Sequence, residues 1–404
     1  QRTMSKIIKI GKSRLKDMLG FKNLGKHRDE IIESSSSEDI SYFDAISEKA
    51  QSLHPLILNV KDEDIIPRYD AKEFVFSSID STPLPFFKAG SYISIKTKIG
   101  DVYTSRPYSI CSSPKDALSG KISIMIEDYP DGFVAPYLYK NIKIGDVFQI
   151  SSPMGTFHYD KLRDNKTIVA LAGGSGVTPF ISMAKAIRDG IEDFNLLLIY
   201  GSRNREAIYF KEELDEIEKE TTKVKVVHVL SDEKVDGYEY GFITSDIIKK
   251  YVLEPQYSVF ACGPGNFYTF MKKDIQKLNI PQRFIRFEME AVSRDLSSDP
   301  DYPIHYEKKE YNALVKQGGK EYRIKLSSDE PILSGIERAG IKANASCRSG
   351  VCLWCRTRVV EGKTYNPKKN DNRRKGDVLM DYIHPCASFP LSDLVLEIPE
   401  SELF

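Results

Sequence analysis

Two periodicities divide the chain. From Leu56 onward, short runs alternate apolar and polar side chains: Leu56 to Val60, Phe74-Val75-Phe76, Tyr92 to Lys96, Ile122 to Ile126 and Val147 to Ile150. Turn-forming triplets such as Lys88-Ala89-Gly90 and Ile144-Gly145-Asp146 stand between them. In a strand every second side chain shares a face, so short strands spaced this way predict a small antiparallel barrel over residues 54–160. Beyond it the pattern changes. Ile168 to Ala172 is wholly apolar, as befits a strand buried on both faces of a parallel sheet. Similar runs follow at Leu196 to Tyr200, Val224 to Val229 and Tyr257 to Ala261, with helix-length segments between them and a last one from Phe267 to Leu278. Strands alternating with helices predict a doubly wound domain over 164–290. Ser297 to Ile304 is polar and broken by two prolines, which predicts a linker over 291–308. In the last stretch, 309–404, Tyr311 to Val315, Tyr322 to Leu326, Thr357 to Gly362 and Leu394 to Ile398 read as strands, and Pro331 to Arg338 as a helix.

Bulk properties narrow the setting. A chain of 404 residues has room for two to four domains. Its 58 lysines and arginines balance 58 aspartates and glutamates, so no global charge points to nucleic acid or a membrane. No apolar run is long enough for a transmembrane segment, and the first residues lack the apolar core of a signal peptide. Four of the six cysteines fall in one motif, the usage of a reducing compartment, which predicts a cytoplasmic protein. Residues 1–50 stand apart as a basic extension and linker, with Lys6, Lys9, Lys12, Arg14 and Lys16 beside Ile7, Ile8, Leu15, Met18 and Leu19 at roughly helical spacing. Such a helix would either cover a neighbouring domain or dock on an acidic partner or an anionic membrane surface.

The densest chemistry lies in Cys347-Arg348-Ser349-Gly350-Val351-Cys352-Leu353-Trp354-Cys355, answered by Cys386. The spacing C-x4-C-x2-C…C is that by which plant-type ferredoxins hold a [2Fe–2S] cluster. Each iron needs a tetrahedron of sulfur, so a tight loop must wrap the inorganic sulfides. Gly350 permits a positive φ there, and short Ser349 crowds nothing. Zinc is the alternative, but zinc loops pair C-x2-C with a second C-x2-C, and this chain has none. Cys347, Cys352, Cys355 and Cys386 are the predicted ligands.

Inside the predicted barrel, Arg106-Pro107-Tyr108-Ser109 precedes Ile110-Cys111-Ser112-Ser113-Pro114. An arginine can fork onto a phosphate, and Tyr108 returns to its face two residues along. The alternative is a strand that carries arginine and tyrosine for packing alone. Gly132-Phe133-Val134-Ala135-Pro136 and Pro153-Met154-Gly155-Thr156-Phe157 follow. The apolar strand ending at Ala172 runs into Gly173-Gly174-Ser175-Gly176-Val177-Thr178-Pro179, where a phosphate could approach backbone N–H groups. Cys262-Gly263-Pro264 ends a later strand; Cys262 alone could equally be a small buried thiol.

In this order, these runs resemble the ferredoxin–NADP+ reductase superfamily, in its phthalate dioxygenase reductase-like form with flavin, NAD and ferredoxin domains. The resemblance implies a multidomain fold: an antiparallel six-stranded flavin β-barrel, an α/β doubly wound nucleotide domain and an α+β β-grasp ferredoxin domain of the plant type. It places Arg106 and Pro107 at the flavin, Tyr108 against the isoalloxazine ring, and Ser109 and Cys262 near the point of hydride transfer. Gly132, Phe133 and Val134 would offer amides to the flavin phosphate, and Gly155 and Thr156 would close the barrel beside the ring. Gly173, Gly174, Gly176, Thr178 and Pro179, with Gly263 and Pro264, would hold the nicotinamide nucleotide. Ser202 and Arg203, with Arg205 nearby, would meet its adenosine half. The cofactors implied are FAD, with FMN as the alternative; NADH, with NADPH as the alternative; and the [2Fe–2S] cluster.

The implied activity is that of an NAD(P)H-dependent iron–sulfur flavoprotein reductase. Hydride goes to flavin, and single electrons pass through the cluster to a partner protein, an oxygenase or an anaerobic reductase component. Three features depart from the family: Ala135 where serine or threonine is frequent, Trp354 inside C-x2-C, and a basic setting for the cluster. Arg348, Arg356, Arg358, Lys363, Lys368, Lys369, Arg373, Arg374 and Lys375 predict either an acidic redox partner or a merely solvated loop. Two further readings are a self-contained diaphorase acting on small acceptors and a peripherally membrane-docked electron-input subunit.

Overall fold

The computed structural model describes residues 57–79, 82–130, 132–288 and 308–399, together with Lys26, Glu30, Val292, Leu296, Asp299, Asp301 and Tyr302. The expected amphipathic helix of the first fifty residues, and most of the linker at 291–308, lie outside them. The chain divides into residues 1–55 and 56–404, and the fold below is that of the second unit.

Six strands build the first layer: β1 (Ile57–Arg68), β2 (Ala71–Ser78), β3 (Tyr92–Ile99), β4 (Val102–Ser109), β5 (Lys121–Glu127) and β6 (Val147–Ser151). Their order is β4-β3-β6-β1-β2-β5, every pair antiparallel. A bridge from Ile110 to Ile124 joins the two ends and closes the sheet on itself, which leaves no bare edge there. The alternation seen in the sequence is realised as Phe74, Phe76, Ile93, Ile95, Ile122, Ile124 and Ile150 filling the interior. β1 runs past the apolar segment into Lys61 to Arg68, where the pattern carries no signal. The pairing register with β2 shifts between Asp62 and Asp64, and this bulge accommodates the acidic run. Two short helices border the barrel, α1 (Pro114–Leu118) and α2 (Ala135–Asn141).

The second layer is a parallel sheet of β7 (Thr167–Gly173), β8 (Asn195–Ser202), β9 (Val224–Leu230), β10 (Glu239–Tyr240), β11 (Ser258–Cys262) and β12 (Ile285–Phe287), in the order β10-β9-β8-β7-β11-β12. Helices α3 (Thr178–Arg188), α4 (Lys211–Glu220), α5 (Ser245–Tyr251) and α6 (Gly265–Asp274) connect the strands. β7 is buried on both faces: Ile168, Ala170 and Ala172 join one core, and Val169 and Leu171 the other. Strand order reverses between β7 and β11, so their carboxyl ends open a crevice of the kind in which such sheets bind ligands.

A buried charge cluster joins barrel to sheet. Arg68 bridges Glu73 of β2 and Glu213 of α4, each at 2.5 Å, and Lys185 of α3 reaches Glu213 at 2.8 Å. Both cations lie over the Phe210 ring.

The third domain has β13 (Glu310–Gln317), β14 (Lys320–Ser327), α7 (Ile332–Arg338), β15 (Thr357–Glu361), β16 (Thr364–Tyr365), α8 (Lys375–Leu379), β17 (Tyr382–Ile383), β18 (Phe389–Pro390) and β19 (Leu394–Glu397). Its main sheet runs β14-β13-β19-β15-β17, with β13 and β19 parallel. Ile332 and Ile336 pack on Val315, Leu326 and Leu396 to form its core.

Candidate functional site

The four predicted cysteines come together, three from the loop between α7 and β15 and Cys386 from the turn Pro385–Ala387 after β17. Their contacts sort them into pairs. Cys352 N–H points at Cys347 Sγ (3.3 Å) and Cys347 N–H at Cys352 Sγ (3.5 Å), while Cys355 and Cys386 sulfurs lie 3.3 Å apart. Among the described residues no three His, Cys, Asp or Glu side chains are spaced to grip a single metal ion. Two pairs suit a two-iron group, each iron taking two thiolates.

Backbone geometry makes the loop possible. Gly350 has φ +80°, and a Cβ there would lie 2.5 Å from the Asn370 carbonyl oxygen. Arg348 and Leu353 adopt φ +55° and +67° without being glycine, a conformation costing an L-residue about 1–2 kcal/mol. His384 braces the loop, its Nδ1 lying 2.9 Å from the Gly350 carbonyl oxygen.

One cleft of about 380 Å³ opens beside this loop. Arg106, Ser109 and Glu288 line one wall, and Cys347, Ser349 and Cys386 the other. Gly155, at φ +116°, lies where a Cβ would come 3.0 Å from the ring of Tyr92, another lining residue. Ser109 Oγ donates to Glu288 Oε1 at 2.6 Å, and Cys262 Sγ to Oε2 at 2.6 Å. Burial raises the Glu288 carboxyl above its ordinary range, against the two bonds it accepts. Burial, and then the Glu288 charge, push the Cys262 thiol up as well. Ser109 from the barrel and Cys262 from β11 thus meet on one carboxyl group that is drawn toward holding a proton.

The two glycine-bearing loops also meet. Gly174–Val177 forms a 3-10 turn that leads into α3. A Cβ on Gly176 would lie 2.3 Å from the Cys262 carbonyl oxygen, and one on Gly263 2.7 Å from the Phe267 ring. The glycines let the ends of β7 and β11 touch, leaving the crevice above them. Thr178 Oγ1 donates to the Ser175 carbonyl at 3.0 Å. Pro179 is buried at the start of α3, and Pro264 caps α6.

The other predicted residues, Arg106 and Pro107 apart, lie outside the lining of this cleft. Tyr108 is half-buried against the barrel core and does not line the cleft; burial raises its phenol pKa, with Arg106 opposing. Arg106 NH1 donates to Thr104 Oγ1 at 2.8 Å and to the Ser105 carbonyl at 2.7 Å. Gly132, Phe133 and Val134 lead into α2, with Val134 buried as its N-cap and Phe133 exposed. Thr156 is exposed. At the carboxyl end of β8, Ser202 is buried and Arg203 exposed, while Arg205 is paired with Glu233 at 2.9 Å.

Comparison with known proteins follows the same three parts. Residues 62–159 match the oxidoreductase FAD-binding domain, 170–273 the oxidoreductase NAD-binding domain, and 315–391 the 2Fe-2S iron-sulfur cluster binding domain. In architecture the chain is similar to the ferredoxin–NADP+ reductase superfamily. It is an oxidoreductase with FAD-binding, NAD-binding and [2Fe–2S] domains in that order. It is 28% identical to the carnitine monooxygenase reductase subunit of Escherichia coli over 293 residues, 72% of this chain and 83% of that one. The glycine betaine monooxygenase reductase subunit of Chromohalobacter salexigens is 24% identical over 346 residues, 81% of this chain and 92% of that one. The fold is similar to that of phthalate dioxygenase reductase, with a TM-score of 0.59 at 22% identity over 85% of this chain and 98% of the other.

The sequence places Glu288 at the flavin face but gives its carboxyl group no role. Phe287 to Glu290 reads as the end of a strand bordering the flavin, but nothing in it says that the carboxyl group turns toward Ser109 and Cys262. His384 and Glu233 were missed likewise, because each acts on a partner more than 25 residues away. No helix among the described residues is long and apolar enough to cross a membrane.

Proposed function

We propose that this oxidoreductase takes hydride from NADH and delivers single electrons to a partner protein by way of the cleft between Ser109 and the cluster loop. When bound, flavin accepts a hydride and releases electrons one at a time, and the cluster carries them singly. The chain's own residues do the rest. Gly173 to Thr178 and Gly263 hold the nucleotide against the ends of β7 and β11. Arg106 holds the flavin phosphate. Ser109 and Cys262, joined through Glu288, hold a proton beside the reacting edge. Cys347, Cys352, Cys355 and Cys386 hold the cluster.

The observation that carries the reading is the shared cleft: one space is walled by Ser109 and Glu288 on the flavin side and by Cys347 and Cys386 on the cluster side. NADH is favoured over NADPH by the Arg205–Glu233 pair, which commits to a carboxylate a cation that could have met a 2′-phosphate. Relatives named as monooxygenase reductase subunits support an oxygenase component as the partner.

Docking would use the face of the loop turned away from flavin. Cys352 is the ligand that is only partly buried. In the same domain Val351, Val378, Leu379 and Met380 are exposed apolar residues, and Arg356, Arg374 and Lys375 are exposed cations. An apolar centre rimmed with positive charge suits an acidic surface.

Cys352→Ser tests the route. NADH-to-ferricyanide turnover is expected to stay within about twofold, while reduction of a protein acceptor such as cytochrome c falls by at least about 100-fold, because the acceptor's electrons then lack a path. Unchanged cytochrome c reduction would instead favour a diaphorase that works from flavin alone.

A further inference from the structure

We infer that Arg348 is a positioning residue: it latches the cluster loop onto the flavin strand β4 and so sets the gap that electrons cross. The inference rests on the route proposed above, because the gap matters only if electrons cross it.

Arg348 lies directly between the ligand Cys347 and Ser349, at φ +55°. Glycine adopts that conformation freely and arginine does not. A loop that needed only the turn would be better served by glycine, so the reason for arginine lies in its side chain. That side chain leaves its own domain. Nε donates to the Ser105 carbonyl at 2.5 Å, and a terminal nitrogen donates to Thr104 Oγ1 at 2.7 Å. Both acceptors belong to β4, immediately before Arg106. The guanidinium also pairs with Glu337 of α7, and Thr104 Oγ1 in turn donates to Glu337 Oε2 at 3.2 Å. Loop, helix and flavin strand are thereby closed into one ring of bonds.

Three serines reinforce the joint. Ser105 Oγ donates to the Ala345 carbonyl at 2.6 Å, and Ser94 and Ser346 hydroxyls lie 2.8 Å apart. Thr104, Ser105, Ser94, Ser346 and Glu337 are all buried, so water cannot take over these bonds without the joint opening. The planar fork of arginine meets a carbonyl, a hydroxyl and a carboxylate at once, which a lysine could not do. Electron tunnelling falls steeply with distance, so a joint that loosens by an ångström slows transfer while leaving both redox sites built.

Arg348→Gly in the full chain is the direct test, since glycine removes the latch and eases the backbone. The cluster is expected to assemble with its parental visible and electron paramagnetic spectra. On rapid mixing with NADH, flavin should bleach at the parental rate and cluster reduction should lag about tenfold or more. Amide hydrogen exchange at residues 104–106 and 345–349, measured without NADH, should quicken. Thr104→Val leaves the ferredoxin domain untouched and should show the same lag and the same exchange; it carries the test if Arg348→Gly fails to assemble its cluster. Parental cluster reduction together with parental exchange would overturn the inference. Quickened exchange in a protein whose parent passes no electrons from flavin to cluster would uphold the latch and refute the route.

Discussion

Asp62 shows how much one side chain can cost. It is fully buried in β1, and neither of its carboxyl oxygens finds a hydrogen-bond partner among the described residues. Burial first, then the charges of Asp146 and Asp64, raise its pKa from 3.8 to about 7. An acid whose folded pKa is raised favours the native state below its unfolded pKa, and that contribution is lost as pH climbs through the folded value. The parent should therefore lose stability between about pH 4 and 8 on this account. Asp62→Asn should be the more stable protein at pH 8 by on the order of 2–4 kcal/mol and gain little at pH 4; urea melts at the two pH values would show it. A single sequence cannot reveal such a residue, because an acid in Lys61-Asp62-Glu63-Asp64 looks like any solvated charge. Glu288 hid its role differently: its place at a strand end shows in the sequence, its partners Ser109 and Cys262 do not. The cysteines did not hide theirs, because their C-x4-C-x2-C spacing is itself the signal, whatever surrounds it.

At the scale of elements, the strand–turn–helix from β7 through Gly174–Val177 into α3 was legible because apolar period and glycine content both change there. What the pattern could not say is which loop faces it. Gly176 answers: with 2.3 Å to the Cys262 carbonyl, there is no room for a methyl group. Gly176→Ala should push β7 and β11 apart, destabilise the protein by about 1–3 kcal/mol and raise the KM for NADH in ferricyanide reduction, while the cluster spectrum stays intact. Steady-state kinetics and thermal melts check both halves. The opposite case is α8, a five-residue helix in a polar stretch with no clear period. Its place is set by the ion pair of Asp377 with Arg356 at 2.5 Å, a contact that no local signal announces.

For the whole molecule, the joints between domains govern behaviour. Glu73 is held by Arg68 and also accepts from Ser123 Oγ at 2.8 Å. Glu73→Gln would leave two cations, Arg68 and Lys185, to a single carboxylate, Glu213, and breaking a buried pair in this way costs about 3–5 kcal/mol. A lower melting temperature with nucleotide and barrel domains unfolding in separate steps is the expected calorimetric result. The basic rim of the cluster face makes a different prediction. Reduction of an acidic acceptor such as rubredoxin should slow as salt rises past about 0.1 M, where screening reaches about 10 Å. Salt-independent stopped-flow rates would dismiss an electrostatic docking face.

By itself, the sequence determined three domains and their order, the four thiols, the run from Arg106 to Ser109 and the glycine turn, because each follows from local periodicity or from a spacing that the chemistry demands. Only the tertiary structure decided that Ser109 and Cys262, 153 residues apart, share Glu288, and that Arg348 reaches back to Ser105. Those contacts depend on how separate elements stack, and stacking is settled by burial and shape over the whole chain rather than by any residue's immediate neighbours.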